Sequence, residues 1–331
     1  MDPKNKEEAE TDQWLLREAG FDGQDPGMMP KALVLAAEKG HAKAVTRLLE
    51  KGADVKAVVD KVTALHRAAE HGHDEVIKIL LEKGANIEAR ETAGRALHCA
   101  ASKGHAMTVK VLLENGAQIE GDGPWEEKAL HTAAIYGQIS VIRLLLEKGA
   151  DIEAIDRWEY TPLLKAARFG ALAAVEVLIE KGANIHKNMM DNFKGTALHH
   201  AARYGHDQVV RVLLEKRAKV NAGAGDSRTT ALHCAALEGL DAVAKLLLEN
   251  GADVDGNYRS GDETPLHLAA GCGYPEVVRV LLQKGANTTL KGGWNSSTPL
   301  HAATSGTIDD SDEVVRGRKE VVRLLAGSYP S

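Results

Sequence analysis

Aromatic residues are scarce in this chain, making up 4% of its 331 residues. Its apolar surface is therefore carried by many small and medium side chains, which favours one long repeat array over two ordinary globular cores. Long apolar runs are also missing. No stretch reaches the roughly 18 residues of a membrane span, so none is expected. The polar, acidic start, Met1-Asp-Pro-Lys-Asn-Lys-Glu-Glu, has no hydrophobic region, so no secretory signal is expected. Cysteine is limited to Cys99, Cys234 and Cys272, three thiols that cannot all pair within one chain. A reduced intracellular setting, cytoplasmic or nuclear, fits best. Excess basic charge is lacking too. The net charge is −6, and residues 1–30 hold eight acids against three bases, which leaves about −1 for the rest. A nearly neutral body offers no electrostatic footprint for nucleic acid or anionic lipid.

What is present is repetition. The phrase Thr63-Ala-Leu-His-Arg-Ala-Ala69 returns as Arg95-Ala-Leu-His-Cys-Ala-Ala101, Lys128-Ala-Leu-His-Thr-Ala-Ala134 and Thr161-Pro-Leu-Leu-Lys-Ala-Ala167. It continues from Thr196, Thr230, Thr264 and Thr298, and a weaker copy, Lys31-Ala-Leu-Val-Leu-Ala-Ala37, comes first. The leucines Leu33, Leu65, Leu97, Leu130, Leu163, Leu198, Leu232, Leu266 and Leu300 are spaced by 32 to 35 residues. Periods of this size signal a repeat architecture. A second phrase follows in each unit, such as Val76-Ile-Lys-Ile-Leu-Leu-Glu-Lys-Gly-Ala85, with apolar residues on one helical stripe and glycine at the helix end. The first phrase predicts a shorter helix of small residues. Its threonine suits an N-cap, and Pro162, Pro265 and Pro299 stand where a helix accepts proline. Polar, extended fingers such as Asp151-Ile-Glu-Ala-Ile-Asp-Arg157 join the units.

These phrases resemble the ankyrin repeat, Thr-Pro-Leu-His-x-Ala-Ala-x-x-Gly-His followed by Val-x-x-Leu-Leu-x-x-Gly-Ala, over about residues 31–326. The resemblance implies an all-α solenoid of stacked helix–turn–helix units with β-turn fingers at right angles to them. Each unit would bury its faces only against its neighbours. Three regions are expected. Residues 1–30 form an acidic segment with a half-repeat cap, Trp14 packing on repeat 1. Residues 31–306 hold repeats 1–8 and the start of repeat 9. Residues 307–331 contain an insertion at 307–317, the last helix as C-cap, and a tail.

The fourteen histidines suggest a metal protein at first count. Seven of them (His66, His98, His131, His199, His233, His267, His301) belong to the repeat's own Leu-His, and four (His41, His73, His105, His206) follow the helix-breaking glycine. In the family the Leu-His ring bonds backbone of the adjoining finger. No Cys-x-x-Cys or His-x-x-x-His spacing occurs, so neither a metal nor another cofactor is expected. Nucleophile-elbow, Walker and dinucleotide motifs are also missing.

Departures from the repeat carry more information, because the consensus already accounts for folding. Tyr136, Phe169 and Tyr204 stand before the helix-ending glycine in repeats 4, 5 and 6, and Arg168 and Arg203 precede two of them. Equal register would set the rings in a row about 10 Å apart. Trp125, Trp158 and Tyr160 lie in the fingers leading into repeats 4 and 5, and Met189, Met190 and Phe193 in the one leading into repeat 6. Tyr258 and Trp294 continue more sparsely. Trp, Tyr and Arg dominate interface energetics, so these positions together would line a concave, partner-binding wall. The plainer reading is that tyrosine is tolerated on the helix and that finger aromatics pack on their own repeat. Leu164 replaces the usual histidine, and Arg217 replaces the glycine that ends the sixth repeat, where a left-handed residue would cost roughly 1 kcal/mol.

The expectation is a non-catalytic scaffold binding a protein through repeats 4–6. The alternative is an enzyme using the same groove as a small-molecule site, with Glu127, Glu159, Asp191, His200 and Arg203 as acid, base or charge stabiliser. A deep, enclosed cavity holding two or more of these would favour it. A third reading is a repeat fragment of a larger signalling protein.

Overall fold

A computed structural model describes residues 26–92, 94–188, 195–225, 228–256, 262–293, 296–305 and 311–327, together with Glu10, Gln13, Trp14 and Glu18. Among the described residues the protein is helical and has no named strand. Isolated bridges such as Val59 with Val62 and Ala224 with Thr229 close some fingers. Each repeat supplies one inner and one outer helix. The inner ones are α1 (Met29–Glu38), α3 (Ala64–His71), α5 (Ala96–Lys103), α7 (Ala129–Ile135), α9 (Pro162–Arg168), α11 (Ala197–Arg203), α13 (Ala231–Leu237), α15 (Pro265–Cys272) and α17 (Pro299–Thr304). The outer ones are α2 (Ala42–Glu50), α4 (Asp74–Glu82), α6 (Ala106–Glu114), α8 (Ile139–Glu147), α10 (Leu172–Glu180), α12 (Asp207–Glu215), α14 (Asp241–Glu249), α16 (Pro275–Gln283) and α18 (Asp312–Ala326).

The chain falls into two units, Met1–Pro162 with Glu180–Gly182, and Leu163–Ile179 with Ala183–Ser331. In the first, α1, α3, α5 and α7 pack in sequence, and α2, α4, α6 and α8 follow behind them. In the second, α11, α13, α15 and α17 pack in sequence, backed by α12, α14, α16 and α18. The alanine pair makes the inner stack possible. Ala68, Ala69, Ala100 and Ala101 are fully buried, so neighbouring helices meet with nothing larger than a methyl group between them. Outer helices fill the space behind with Val76, Ile77 and Leu80 and their counterparts.

The repeat's histidine acts as a tie. In α11, α13 and α15 the threonine N-cap donates its backbone N–H to the histidine Nδ1, at 3.2 Å for Thr196 to His199, 3.1 Å for Thr230 to His233 and 3.2 Å for Thr264 to His267. A nitrogen that accepts cannot carry the ring proton, so Nε2 holds it. Nε2–H then donates to a carbonyl of the following finger: Glu127 for His98, Thr229 and Ala222 for His199, Glu263 for His233, Ser297 for His267. Burial, the largest influence, lowers the pKa of His98, His199 and His233 to about 4 and lowers that of His66, so the neutral tautomer is the native one. A second belt runs the other way. His73, His105 and His206 each reach back through Nε2 to a carbonyl of the preceding inner helix, at Glu38, Glu70 and Arg168, and Gln138 does the same at Ser102. In the first repeat the Trp14 ring lies 4.3 Å from that of His41.

Two departures are resolved. Arg217 takes the left-handed conformation at φ 65°, and Ala218 N–H still closes on the Leu213 carbonyl at 2.9 Å, so the helix end is kept rather than rebuilt. Of the insertion, the part that is described extends α18 to 15 residues, against nine for the other outer helices. It is capped by Ser311 and anchored by Arg318 Nε on the Gly271 carbonyl at 2.6 Å. Residues 307–310 lie outside the described residues.

Candidate functional site

The expected surface is built from fingers and inner-helix ends, and each unit presents its own share. In the first, Trp125 sits in a short 3₁₀ turn, Pro124–Glu126, with φ 57°. This left-handed backbone, followed by Glu126 at φ 62°, turns the indole outward, and Trp125 is 58% exposed. Its carbonyl accepts the backbone N–H of Arg157 at 3.0 Å, which ties the two fingers together. Trp158, 42% exposed, brings its ring centroid within 5.3 Å of Trp125 at an interplanar angle of 40°. Asp156 holds this second finger. Its buried Oδ1 accepts the N–H groups of both Trp158 and Tyr160 at 2.9 Å. Ile155 is exposed on the same finger, and Tyr136 is exposed at the end of α7.

Tyr160 departs from the expected set. It is only 6% exposed, so its ring offers no surface to a partner. Its carbonyl accepts from His131 Nε2 at 2.8 Å, the acceptor duty that Thr229 and Ser297 perform elsewhere. Asp156 and Ile155 were missed in the sequence. An Asp followed at two and four residues by the chain it organises is a turn signal that was available. An exposed isoleucine leaves no such mark.

In the second unit, Phe169 and Tyr204 are exposed at the same register, after α9 and α11. The Arg168 guanidinium lies 5.0 Å above the Tyr204 ring, within cation–π range. Tyr204 also stacks on His206, at 6.5 Å, whose Nε2 holds the Arg168 carbonyl. Arg203 pairs with Glu238 at 3.3 Å. Phe193, Met189, Met190, Tyr258 and Trp294 lie outside the described residues.

The acid–base candidates of the enzymatic alternative fall in both units. Glu127 lines an open depression of about 330 Å³ with Glu70, Cys99, Lys103 and Tyr136, and its carbonyl is taken by His98. Glu159 stands in the second finger at φ 63°. Both lie in the first unit, whereas His200 and Arg203 belong to the second. His200 is buried, and burial, helped by His199, Arg168 and Arg203, lowers its pKa to about 3. An imidazole neutral to that pH and sealed from solvent is poorly matched to proton transfer near pH 7. Asp191 lies outside the described residues. No group of three or more His, Cys, Asp or Glu among the described residues is placed to hold a metal, and no helix there is long and apolar enough to cross a membrane.

Stacked helix–turn–helix units joined by polar fingers define a helical-repeat protein of the solenoid class. The chain belongs to the ankyrin-repeat family. It matches the description "Ankyrin repeats (3 copies)" over residues 4–91, 33–122, 97–189 and 163–258, and "Ankyrin repeats (many copies)" over 247–303. Among solved structures it is similar to the ankyrin repeat domain of human ASB11, at 27% identity and a TM-score of 0.59, covering 71% of this chain and 98% of that one. No curated protein matches. Ankyrin repeats are generally protein–protein interaction modules.

Proposed function

We propose that the protein is a non-catalytic scaffold that binds protein partners through its exposed aromatics around repeats 4–6. On the first unit these are Trp125 and Trp158 with Tyr136; on the second they are Phe169 and Tyr204 with Arg168 and Arg203. The observation that carries this reading is the exposed tryptophan pair in contact at 5.3 Å. Two large rings left in water on fingers that backbone bonds already hold are an unspent apolar surface. Rings of this kind are the usual anchors of interfaces. Arg168 over Tyr204 offers the second unit a preformed planar platform.

The experiment is affinity capture with the full chain against two variants, Trp125→Ala/Trp158→Ala and Phe169→Ala/Tyr204→Ala, each checked for unchanged helical circular dichroism. Partners held by the wild type should weaken by about tenfold or more on at least one variant. Retention of every partner by both variants would show that binding lies elsewhere on the repeats.

A further inference from the structure

The charge around the tryptophan pair is as uneven as its aromaticity. Residues 118–128 hold Glu120, Asp122, Glu126 and Glu127 against Lys128, and residues 151–161 hold Asp151, Glu153, Asp156 and Glu159 against Arg157. Each finger is therefore −3, and the two together equal the −6 of the whole chain. The fingers at 54–63 and 86–95 are neutral, and those at 219–230 and 287–298 are +1. The finger at 253–264 is also −3 but carries no tryptophan. Among the described residues, consecutive acidic fingers coincide with exposed indoles only before repeats 4 and 5.

The two features occupy one surface. Trp125 and Trp158 are in ring contact, and the Trp125 carbonyl to Arg157 N–H bond fixes one finger on the other. Glu120, Glu126 and Asp151 are exposed around them. Lys128 closes on Asp122, so one of the two bases is already committed. Glu88 and Glu120 spend carboxylate oxygens on the backbone of the next finger, on Gln118 N–H at 2.8 Å and Asp151 N–H at 2.9 Å. Such bonds orient the acidic tips without removing their charge.

The geometry points to a Lys- and Arg-bearing peptide segment of a partner protein as the occupant of this finger surface. The claim rests on the protein-binding reading and deepens it for the first unit. An indole face attracts a guanidinium or ammonium through its quadrupole, and surrounding carboxylates supply the long-range pull. A neutral apolar segment would gain the rings but nothing from the charge. An acidic segment or a nucleic acid would be repelled by it.

The test uses the full chain and three pools of short synthetic peptides. They share the same apolar positions and differ only in filling the rest with Lys and Arg, with Ser, or with Asp and Glu. Fluorescence polarisation is read at low and at physiological salt. The basic pool should bind about tenfold more tightly than the Ser pool and weaken as salt rises. Trp125→Ala/Trp158→Ala should lower that affinity about tenfold, while Glu126→Gln/Glu159→Gln, which keeps side-chain shape, should weaken it and flatten the salt dependence. Trp125→Phe/Trp158→Phe, which keeps both rings, should recover much of the binding. Equal binding of the Ser or acidic pool, no binding of the basic pool, or indifference to the glutamine variant would overturn the basic occupant. Ser-pool binding lost in the alanine variant would still leave protein binding at the pair standing. Binding that survives the alanine variant would remove both readings at this surface.

Discussion

At Arg217 one side chain stands where Gly52, Gly84, Gly116, Gly149, Gly182, Gly251 and Gly285 end their outer helices, all with positive φ. At each of these seven glycines an added methyl group would meet nothing within 4 Å. Space is therefore not what selects glycine here, and an arginine fits at the cost of a left-handed backbone. Replacing Arg217 by Gly should stabilise the protein by up to about 1 kcal/mol, read as a higher urea midpoint. An unchanged or lower midpoint would mean that the arginine contributes as much as its strain removes. The same scale shows the limits of reading from sequence. Tyr160 is aromatic and reads as an interface residue, but its register is that of Thr229 and Ser297, where the preceding histidine takes the carbonyl. Residue type advertised an interface, and position had already assigned it to the fold. For Trp125 the reverse holds. Nothing in Pro-Trp-Glu announces a left-handed turn, because L-residues adopt that backbone only when the surrounding bonds compel it.

Helix elements were legible because each carries its own punctuation: threonine at the start, glycine at the end, an apolar stripe between. The two glycines of a repeat nevertheless do different work, which spacing alone does not reveal. Gly170 ends α9 with φ 71°, and a methyl group there would lie 2.6 Å from the His206 ring, itself fastened to the Arg168 carbonyl. Gly182, after α10, has φ 96° and open space. Both substitutions to alanine bear the backbone cost, and only the first adds a collision with an anchored ring. Gly170→Ala should therefore destabilise by at least about 1 kcal/mol more than Gly182→Ala, in parallel urea titrations. Equal losses would mean that the histidine belt yields freely. The inserted segment before the last helix shows where element-level reading stops. Its sequence breaks the repeat without saying what replaces it, and the structure continues α18 backward to Asp312.

Across the molecule the buried histidines act together. His66, His98, His199 and His233 have pKa values lowered chiefly by burial, to about 4 for the last three, and His200 is lowered to about 3. Unfolded, each would titrate near 6.5. The unfolded chain therefore binds more protons below that pH. Stability from these groups is complete above about 6.5 and is lost as pH falls towards 4. Each histidine contributes up to about a tenfold change in the unfolding equilibrium per pH unit. The urea midpoint should fall steeply between pH 6.5 and 4.5, and a His199→Gln variant should show a shallower slope. A midpoint flat over that range would contradict the neutral-tautomer tie. The period signals a repeat architecture, and the family and helical fold could be read from the recurring phrases, whose nine copies resemble the ankyrin repeat. The proposed interaction surface could not, because it depends on which of the irregular residues the fingers leave in water.

The histidine tie also bears on how such a chain can change length. Each repeat that carries the histidine brings one donor, its Nε2–H, and one acceptor, the carbonyl that closes its finger; repeats 1 and 5, with Val34 and Leu164 at that position, lack the donor. A tandem copy of a histidine-bearing repeat inserted between two others therefore arrives with its own donor and acceptor matched. The junctions on either side are chemically the same as those they replace. Growth by whole copies is then close to neutral for folding, whereas a deletion within a repeat orphans a buried group. On this view the variation in spacing between 32 and 35 residues records edits confined to finger tips, the one stretch where length can drift without disturbing the tie.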